Sequence, residues 1–222
     1  MAVLEAVFLD VGETIVDETR AFAAWADWMG VTRLTFAAVL GAVIARGGDH
    51  REVFTDLRPG FDLDAEQARR DAAGAPDSFH LKDLYPDVRG PLQELRDLGL
   101  RVGLAGNQPA AAREVLLGWD LPVDVVATSQ GWGVSKPDPA FFARVVCEAG
   151  VPAERVLYVG DRLDNDVRAP QAAGLPTAFL RRGPWGHLMR DDEALAASLF
   201  RIDSLAELPA LVAAHNAAQE GR

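Results

Sequence analysis

Short apolar runs that break abruptly on glycine and a carboxylate or amide constrain this chain more than any other feature. Ala6-Val7-Phe8-Leu9 runs into Asp10-Val11-Gly12, Arg101-Val102-Gly103-Leu104-Ala105 into Gly106-Asn107, and Val156-Leu157-Tyr158-Val159 into Gly160-Asp161. Apolar runs this short, bounded by turn formers, read as buried strands. From Pro86 onward they alternate with segments of helical periodicity, which implies parallel strands joined by crossover helices. Parallel strands bring their carboxyl ends to one edge of the sheet, where α/β proteins bind ligands. Asp10, Asn107, Lys136 and the Asp161/Asp166 pair are therefore expected to converge although they lie far apart in the sequence. Read in isolation, Asp10 is better explained as a turn cap, because Asp favours local hydrogen bonding there. The later strand ends make it a candidate nucleophile or metal ligand.

The expected order of elements follows from the same reading. A first strand at Ala6–Leu9 is followed by a helical segment from about Glu18 to Met29, with Phe22, Trp25, Trp28 and Met29 at helical spacing as a packing face. A second helix is expected over Thr35–Arg46, and shorter ones near Arg51–Leu57 and Asp64–Ala73. Later come helices over Val88–Leu98, up to Leu117, Pro137–Ala149, Asp164–Ala173 and Leu205–Ala218, and strands over Arg101–Ala105, Val123–Ala127, Arg155–Val159, Thr177–Leu180 and Leu199–Ile202. The fold class is α/β. Residues 1–16 and 85–222 form the parallel-sheet core, and 17–84 form a small helical domain inserted after the first strand.

Composition narrows the partners. A net charge of −11 over 222 residues repels phosphate, which argues against a nucleic-acid or anionic-membrane surface. An acidic protein that handles phosphate needs a local positive charge such as a metal ion. Cys147 is the single cysteine, so no intramolecular disulfide can form; it is expected as a small buried hydrophobe in an apolar helical stretch. No basic segment precedes an apolar one, and no apolar run reaches spanning length, so the expected location is the cytoplasm. The four histidines show no metal-ligand spacing and read as surface or packing residues.

Hard cations such as Mg²⁺ take oxygen ligands, typically one or two carboxylates plus water and substrate phosphate, and Asp10 with Asp161 supply that set. Asp164 is expected to cap the following helix. Four segments in order, Phe-Leu-Asp-Val-Gly-Glu-Thr, Val-Gly-Leu-Ala-Gly-Asn, Val-Ser-Lys-Pro-Asp-Pro-Ala-Phe-Phe and Tyr-Val-Gly-Asp-Arg-Leu-Asp-Asn-Asp, resemble the haloacid dehalogenase (HAD) superfamily. The resemblance covers nearly the whole chain, and residues 17–84 resemble that family's C1 cap. It implies a Rossmann-like core and an Asp10 nucleophile that forms a covalent aspartyl intermediate. It further implies Mg²⁺ held by Asp10, Asp161 and the Gly12 carbonyl, with Asp166 beside it, while Gly106 and Asn107 are the expected substrate-binding residues, through backbone N–H groups of the 106–108 loop. Lys136 then acts as a point charge on phosphate and on Asp10.

Two departures bear on function. Phosphatases of the family carry a second Asp two residues after the nucleophile as general acid and base, where this chain has Gly12. They carry Ser or Thr before the Asn of the second motif, where this chain has Gly106. General acid–base help is worth roughly 10²–10⁴ in rate, about 3–5 kcal/mol of barrier. Glu13 or Asp17 are the carboxylates near enough in sequence to substitute. Three readings stay open: a Mg²⁺-dependent phosphatase acting on a small phosphorylated metabolite, a haloacid dehalogenase-type enzyme in which Asp10 attacks carbon, and a catalytically weak binding protein that keeps the fold. Arg181 and Arg182 are open between an anionic-substrate contact and ordinary surface charge.

Overall fold

The computed structural model describes residues 2–221. The chain divides into two compact units, one built from residues up to Asp17 together with those from Leu84 onward, the other from Glu18–Asp83.

The first unit is a six-stranded parallel sheet of β1 (Ala6–Leu9), β2 (Arg101–Gly106), β3 (Val125–Thr128), β4 (Val156–Gly160), β5 (Thr177–Leu180) and β6 (Phe200–Ile202), in the order β3-β2-β1-β4-β5-β6. The chain leaves β1 in one direction to build β2 and β3, then returns to place β4 on the other side of β1. Strand order therefore reverses between β1 and β4, which is where such sheets open a ligand crevice. Leu9 pairs with Val159, and the Asp10 N–H donates to the Val159 carbonyl at 2.9 Å, so Asp10 and Asp161 leave the sheet side by side at that point.

Packing across the sheet explains the glycine inside β2. Phe8 pairs with Gly103 on one side and with Tyr158 on the other. A Cβ at Gly103 would stand 2.3 Å from the Phe8 ring, so only glycine leaves space for that ring between its neighbours. Phe8 and Tyr158 are fully buried with Phe141, Phe142 and Val145 in one continuous apolar cluster. Phe142 meets both Phe141 and Tyr158 edge-on, with centroids 5.4 and 5.3 Å apart.

The inserted unit contains α1 (Thr19–Met29), α2 (Arg33–Ala45), α3 (Glu52–Leu57) and α4 (Leu63–Ala72). Of the aromatic stripe of α1, Trp25 and Met29 are buried and Phe22 and Trp28 half-buried, and the Trp25 ring meets Phe54 edge-on at 4.9 Å. Thr32 starts α2 by accepting the Thr35 N–H on its side chain at 3.1 Å, and Gly30 ends α1 in the left-handed conformation. Arg70 is buried against the Trp25 face at 4.0 Å and pairs with Asp77 at 2.6 Å.

The remaining helices belong to the sheet unit: α5 (Arg89–Asp97), α6 (Ala110–Leu117), α7 (Ser129–Trp132), α8 (Pro139–Ala149), α9 (Ala169–Ala172), α10 (Gly183–Leu188), α11 (Asp192–Ala197) and α12 (Leu208–Glu220). No single helix among the described residues is long and apolar enough to cross a membrane.

Several local expectations are corrected. α8 begins at Pro139, not Pro137, because the Asp138 side chain caps it by accepting the Ala140 N–H at 2.8 Å. Cys147 is exposed, not buried. The core face of α8 is Phe141, Phe142, Val145 and Ala149, and two residues beyond Val145 the helix has turned to its opposite side. Where a regular helix is expected from Asp164, residues Leu163–Arg168 form a widened π-helical turn before α9. Asp164 does not cap it; its carboxylate pairs with Arg162 at 2.8 Å, and one of its oxygens accepts the Asn165 N–H. The wide turn carries Asp166 into the interior, fully buried.

Candidate active site

Each polar group at the carboxyl edge is placed by a strand end or by the loop after one. Asp10 follows β1, Gly106 ends β2, Lys136 lies in the loop between α7 and α8, Asp161 follows β4, and Asp166 projects from the π-helical turn. Asp10, Lys136, Asp161 and Asp166 are all buried. Asp10, Asp161 and Asp166 each present a carboxylate oxygen within 4.8 Å of the others. Lys136 Nζ stands between two of them, 2.7 Å from Asp10 Oδ1 and 2.6 Å from Asp166 Oδ1.

The electrostatics follow from this burial. Three carboxylates face one ammonium, a local excess of two negative charges when all are ionised. Burial alone would lower the Lys136 pKa, but Asp10 and Asp166 outweigh it and hold the ammonium well above the usual lysine value. Burial raises Asp161 well above the carboxylate range, and the neighbouring charges of Asp166 and Asp10 raise it further. Burial likewise pushes Asp166 up to about 6 against the pull of Lys136.

Hydrogen bonding tells the same story atom by atom. Asp166 is well supplied, with Oδ1 on Lys136 and Oδ2 accepting the Arg162 N–H at 3.0 Å. Among the described residues, Asp161 receives only a long contact on Oδ1, from the Thr14 hydroxyl at 3.5 Å, while its Oδ2 is buried without a hydrogen-bond partner. Asp10 Oδ1 touches the Lys136 ammonium but lies outside hydrogen-bonding alignment with it. Orphaned buried carboxylate oxygens are costly. A hard divalent cation with oxygen preference is the partner that would satisfy Asp10 and Asp161 together, so the residues present fit one.

The 106–107 segment departs from the expected picture in an informative way. A Cβ on Gly106 would come within 2.6 Å of Asp10 Oδ1 and 3.2 Å of Val11 Cγ2, so Asp10 occupies the space where a larger residue would stand. The Asn107 carboxamide faces the Lys136 main chain: Oδ1 accepts the Lys136 N–H at 2.8 Å and Nδ2 donates to the Lys136 carbonyl at 2.9 Å.

The two arginines after β5 part company. Arg181 pairs with Asp203 on the surface at 2.7 Å. Arg182 turns inward, donates to the Thr14 carbonyl at 2.9 Å, pairs with Asp87 and lies 4.2 Å over the Tyr85 ring. Arg182 is thus a support for the turn that follows Asp10. Its role was invisible in the sequence because its partners are 95 and 168 residues away. Tyr85, which donates its hydroxyl to Glu13, escaped notice for the same reason.

A parallel sheet whose reversal point gathers three buried carboxylates and a buried lysine defines a class of α/β hydrolytic sites. The chain matches the haloacid dehalogenase-like hydrolase family over residues 4–174 and belongs to it. The helical insertion after β1 is consistent with that family's C1 cap. Among relatives, it is 35% identical over 128 residues to the glyceraldehyde 3-phosphate phosphatase of Methanopyrus kandleri, covering 56% of this chain and 54% of that protein. It is 34% identical over 128 residues to the phosphoserine phosphatase of Thermus thermophilus, covering 56% of this chain and 49% of that protein. The matched region thus spans about half the length of these curated relatives. Among solved structures, the HAD-hydrolase YfnB of Bacillus subtilis, determined bound to magnesium, shares the fold with a TM-score of 0.71 at 19% identity, over 95% of this chain and 99% of that one.

Proposed function

We propose that this chain is a Mg²⁺-dependent phosphatase acting on a small phosphorylated metabolite, with Asp10 as nucleophile. The observation that carries this reading is the pairing of a buried Asp10 with Lys136 at 2.7 Å beside two further buried carboxylates. Asp10, Asp161 and the Gly12 carbonyl would hold the cation, with Asp166 beside them. When bound, the cation supplies the positive charge that lets an anionic substrate enter an acidic site. The Asp10 carboxylate attacks phosphorus, the bond to the leaving oxygen breaks, and an aspartyl phosphate forms. Water then hydrolyses that acyl phosphate and returns Asp10. Lys136 stays protonated throughout, neutralising charge on Asp10 and on the transferring group, and Asp166 holds its ammonium in place. The relatives named for phosphatase action on three-carbon phosphate esters support a substrate of that size.

A dehalogenase reading draws support from Gly12, since attack on carbon needs no proton donor there. The unpartnered buried oxygen of Asp161 weighs against it, because that carboxylate is stabilised by a cation and has no evident task without one. The decisive experiment screens three-carbon phosphate esters with and without Mg²⁺, beside a 2-haloacid, using wild type and Asp10→Asn. Phosphate release that needs Mg²⁺ and vanishes in the folded variant is the expected result. Metal-independent halide release would establish the second reading instead.

A further inference from the structure

The sequence resemblance implies a substrate contact for Asn107, yet its side chain spends both of its functional groups on one residue of the protein itself. Oδ1 accepts from the Lys136 N–H at 2.8 Å, and Nδ2 donates to the Lys136 carbonyl at 2.9 Å. A carboxamide used in this way mimics a neighbouring strand, pairing with the donor and the acceptor of a single residue. Lys136 needs such a partner because it lies in an irregular stretch, residues 134–138, outside any helix or strand. The next residue, Pro137, has no N–H to contribute.

At the other end of the same residue, Nζ must land between Asp10 Oδ1 and Asp166 Oδ1, at 2.7 and 2.6 Å. Four rotatable bonds separate that ammonium from its backbone, and a lysine is costly to order. The carboxylates fix the tip and Asn107 fixes the base. We propose that Asn107 is a positioning residue whose carboxamide sets the main chain of Lys136, and through it the contact of Nζ with Asp10, and that this side chain does not bind substrate. The inference rests on the phosphatase reading only for its kinetic consequence; its geometric content stands apart from it.

Two measurements test it. The first is a double-mutant cycle with an aryl phosphate, combining Asn107→Ala with Lys136→Gln and confirming by melting temperature that each variant is folded. Asn107→Ala is expected to lower kcat by about 10–100-fold, the scale on which a roughly 1 Å misplacement acts, with KM changed by less than about threefold. In the Lys136→Gln background it should have almost no further effect, because residues that act through one another are not additive. A rise in KM with kcat preserved, or full additivity of the two losses, would overturn the proposal in favour of direct substrate contact. The second is a crystal structure of Asn107→Ala, read as the distance from Lys136 Nζ to Asp10. Displacement is expected, and an unmoved Nζ overturns the proposal even if the protein hydrolyses no phosphate ester. Absence of turnover in wild type with Nζ displaced in the variant would count against the phosphatase reading alone.

Discussion

Tyr85 donates its hydroxyl to Glu13 Oε2 at 2.7 Å, and Glu13 holds a left-handed backbone, with φ of 51°, three residues after Asp10. A non-glycine residue in that region is strained unless its surroundings fix it. Here they do. Gly183 leaves the space into which the Glu13 side chain fits, since a Cβ there would stand 2.5 Å from Oε2. Arg182 grips the next carbonyl, that of Thr14. Burial and the adjoining Glu13 charge push the Tyr85 hydroxyl strongly upward, so it remains a donor at any physiological pH.

Tyr85→Phe should therefore destabilise the protein by about 1–3 kcal/mol, the scale on which losing a part-buried hydrogen bond to a carboxylate acts. Urea denaturation measures it. Glu13→Gln, which keeps length and an acceptor oxygen, should cost less than Tyr85→Phe. Were Tyr85→Phe neutral, the Tyr85–Glu13 bond would not be what restrains the turn after Asp10.

Gly106 invites an apparently restorative substitution, since the resemblance drawn from the sequence leads one to expect Ser or Thr there. The geometry points the other way. A Cβ at Gly106 meets Asp10 Oδ1 at 2.6 Å, and Asp10 is pinned by Lys136 on its other side. Gly106→Ser should push Asp10, the proposed nucleophile, out of line and reduce kcat by about 10-fold or more, in keeping with the cost of small misplacements. An increase in kcat/KM would show that Asp10 can yield and that the added hydroxyl reaches the phosphoryl group.

The charge imbalance in the site predicts a pH signature for the metal-free protein. Asp161 is raised well above its ordinary value by burial and by Asp166 and Asp10. The folded state then keeps a proton that the unfolded chain releases near about pH 3.9, so the group's contribution to stability is full below that pH. It is lost as pH rises toward the folded value, because more protons are bound folded than unfolded. Asp161→Asn carries no such penalty. Without divalent cation, the variant should melt above wild type near neutral pH, and the gap should close on acidification. A divalent cation takes carboxylates in their deprotonated form, so on the proposed metal assignment millimolar Mg²⁺ should raise the wild-type Tm, most strongly at the higher pH, and leave the variant unchanged. Equal melting of the two metal-free proteins at neutral pH would contradict the assigned repulsion.

What the sequence disclosed, and what it did not, divides along the range of the contacts. Asp10, Asp161 and Asp166 could be placed together because each closes an apolar run or follows its turn, and parallel topology does the rest. The aromatic face of α1 was legible from spacing alone, since a helix repeats locally. The inward roles of Arg182 and Tyr85 were not, because a side chain's partner across the fold leaves no periodic trace. Asn107 is the intermediate case: its position at a strand end was legible, but the direction of its carboxamide depends on a loop 29 residues away. The π-helical turn at Leu163–Arg168 was missed because it has the composition of an ordinary helix, and the bonds of Asp166 to Lys136 and to the Arg162 N–H accompany its inward path.

The last expectation concerns proton donation to the leaving group. On the resemblance drawn from the sequence, Gly12 is expected where the family's phosphatases carry their acid, and Glu13, the nearest carboxylate in sequence, already accepts a hydrogen bond from Tyr85. An enzyme without a positioned acid should depend steeply on leaving-group pKa. An aryl phosphate departs as a stable anion, whereas an alkyl ester needs a proton in the transition state, help worth roughly 10²–10⁴ in rate. Wild type should therefore cleave the aryl ester with the higher kcat/KM. Gly12→Asp should narrow the gap by raising kcat/KM for the alkyl ester more than for the aryl one. Comparison of both substrates in wild type, Gly12→Asp and Glu13→Gln measures this directly. If wild type cleaves the two esters equally well and Glu13→Gln abolishes only alkyl cleavage, the proton comes from Glu13, and its bond with Tyr85 would then have to open during turnover.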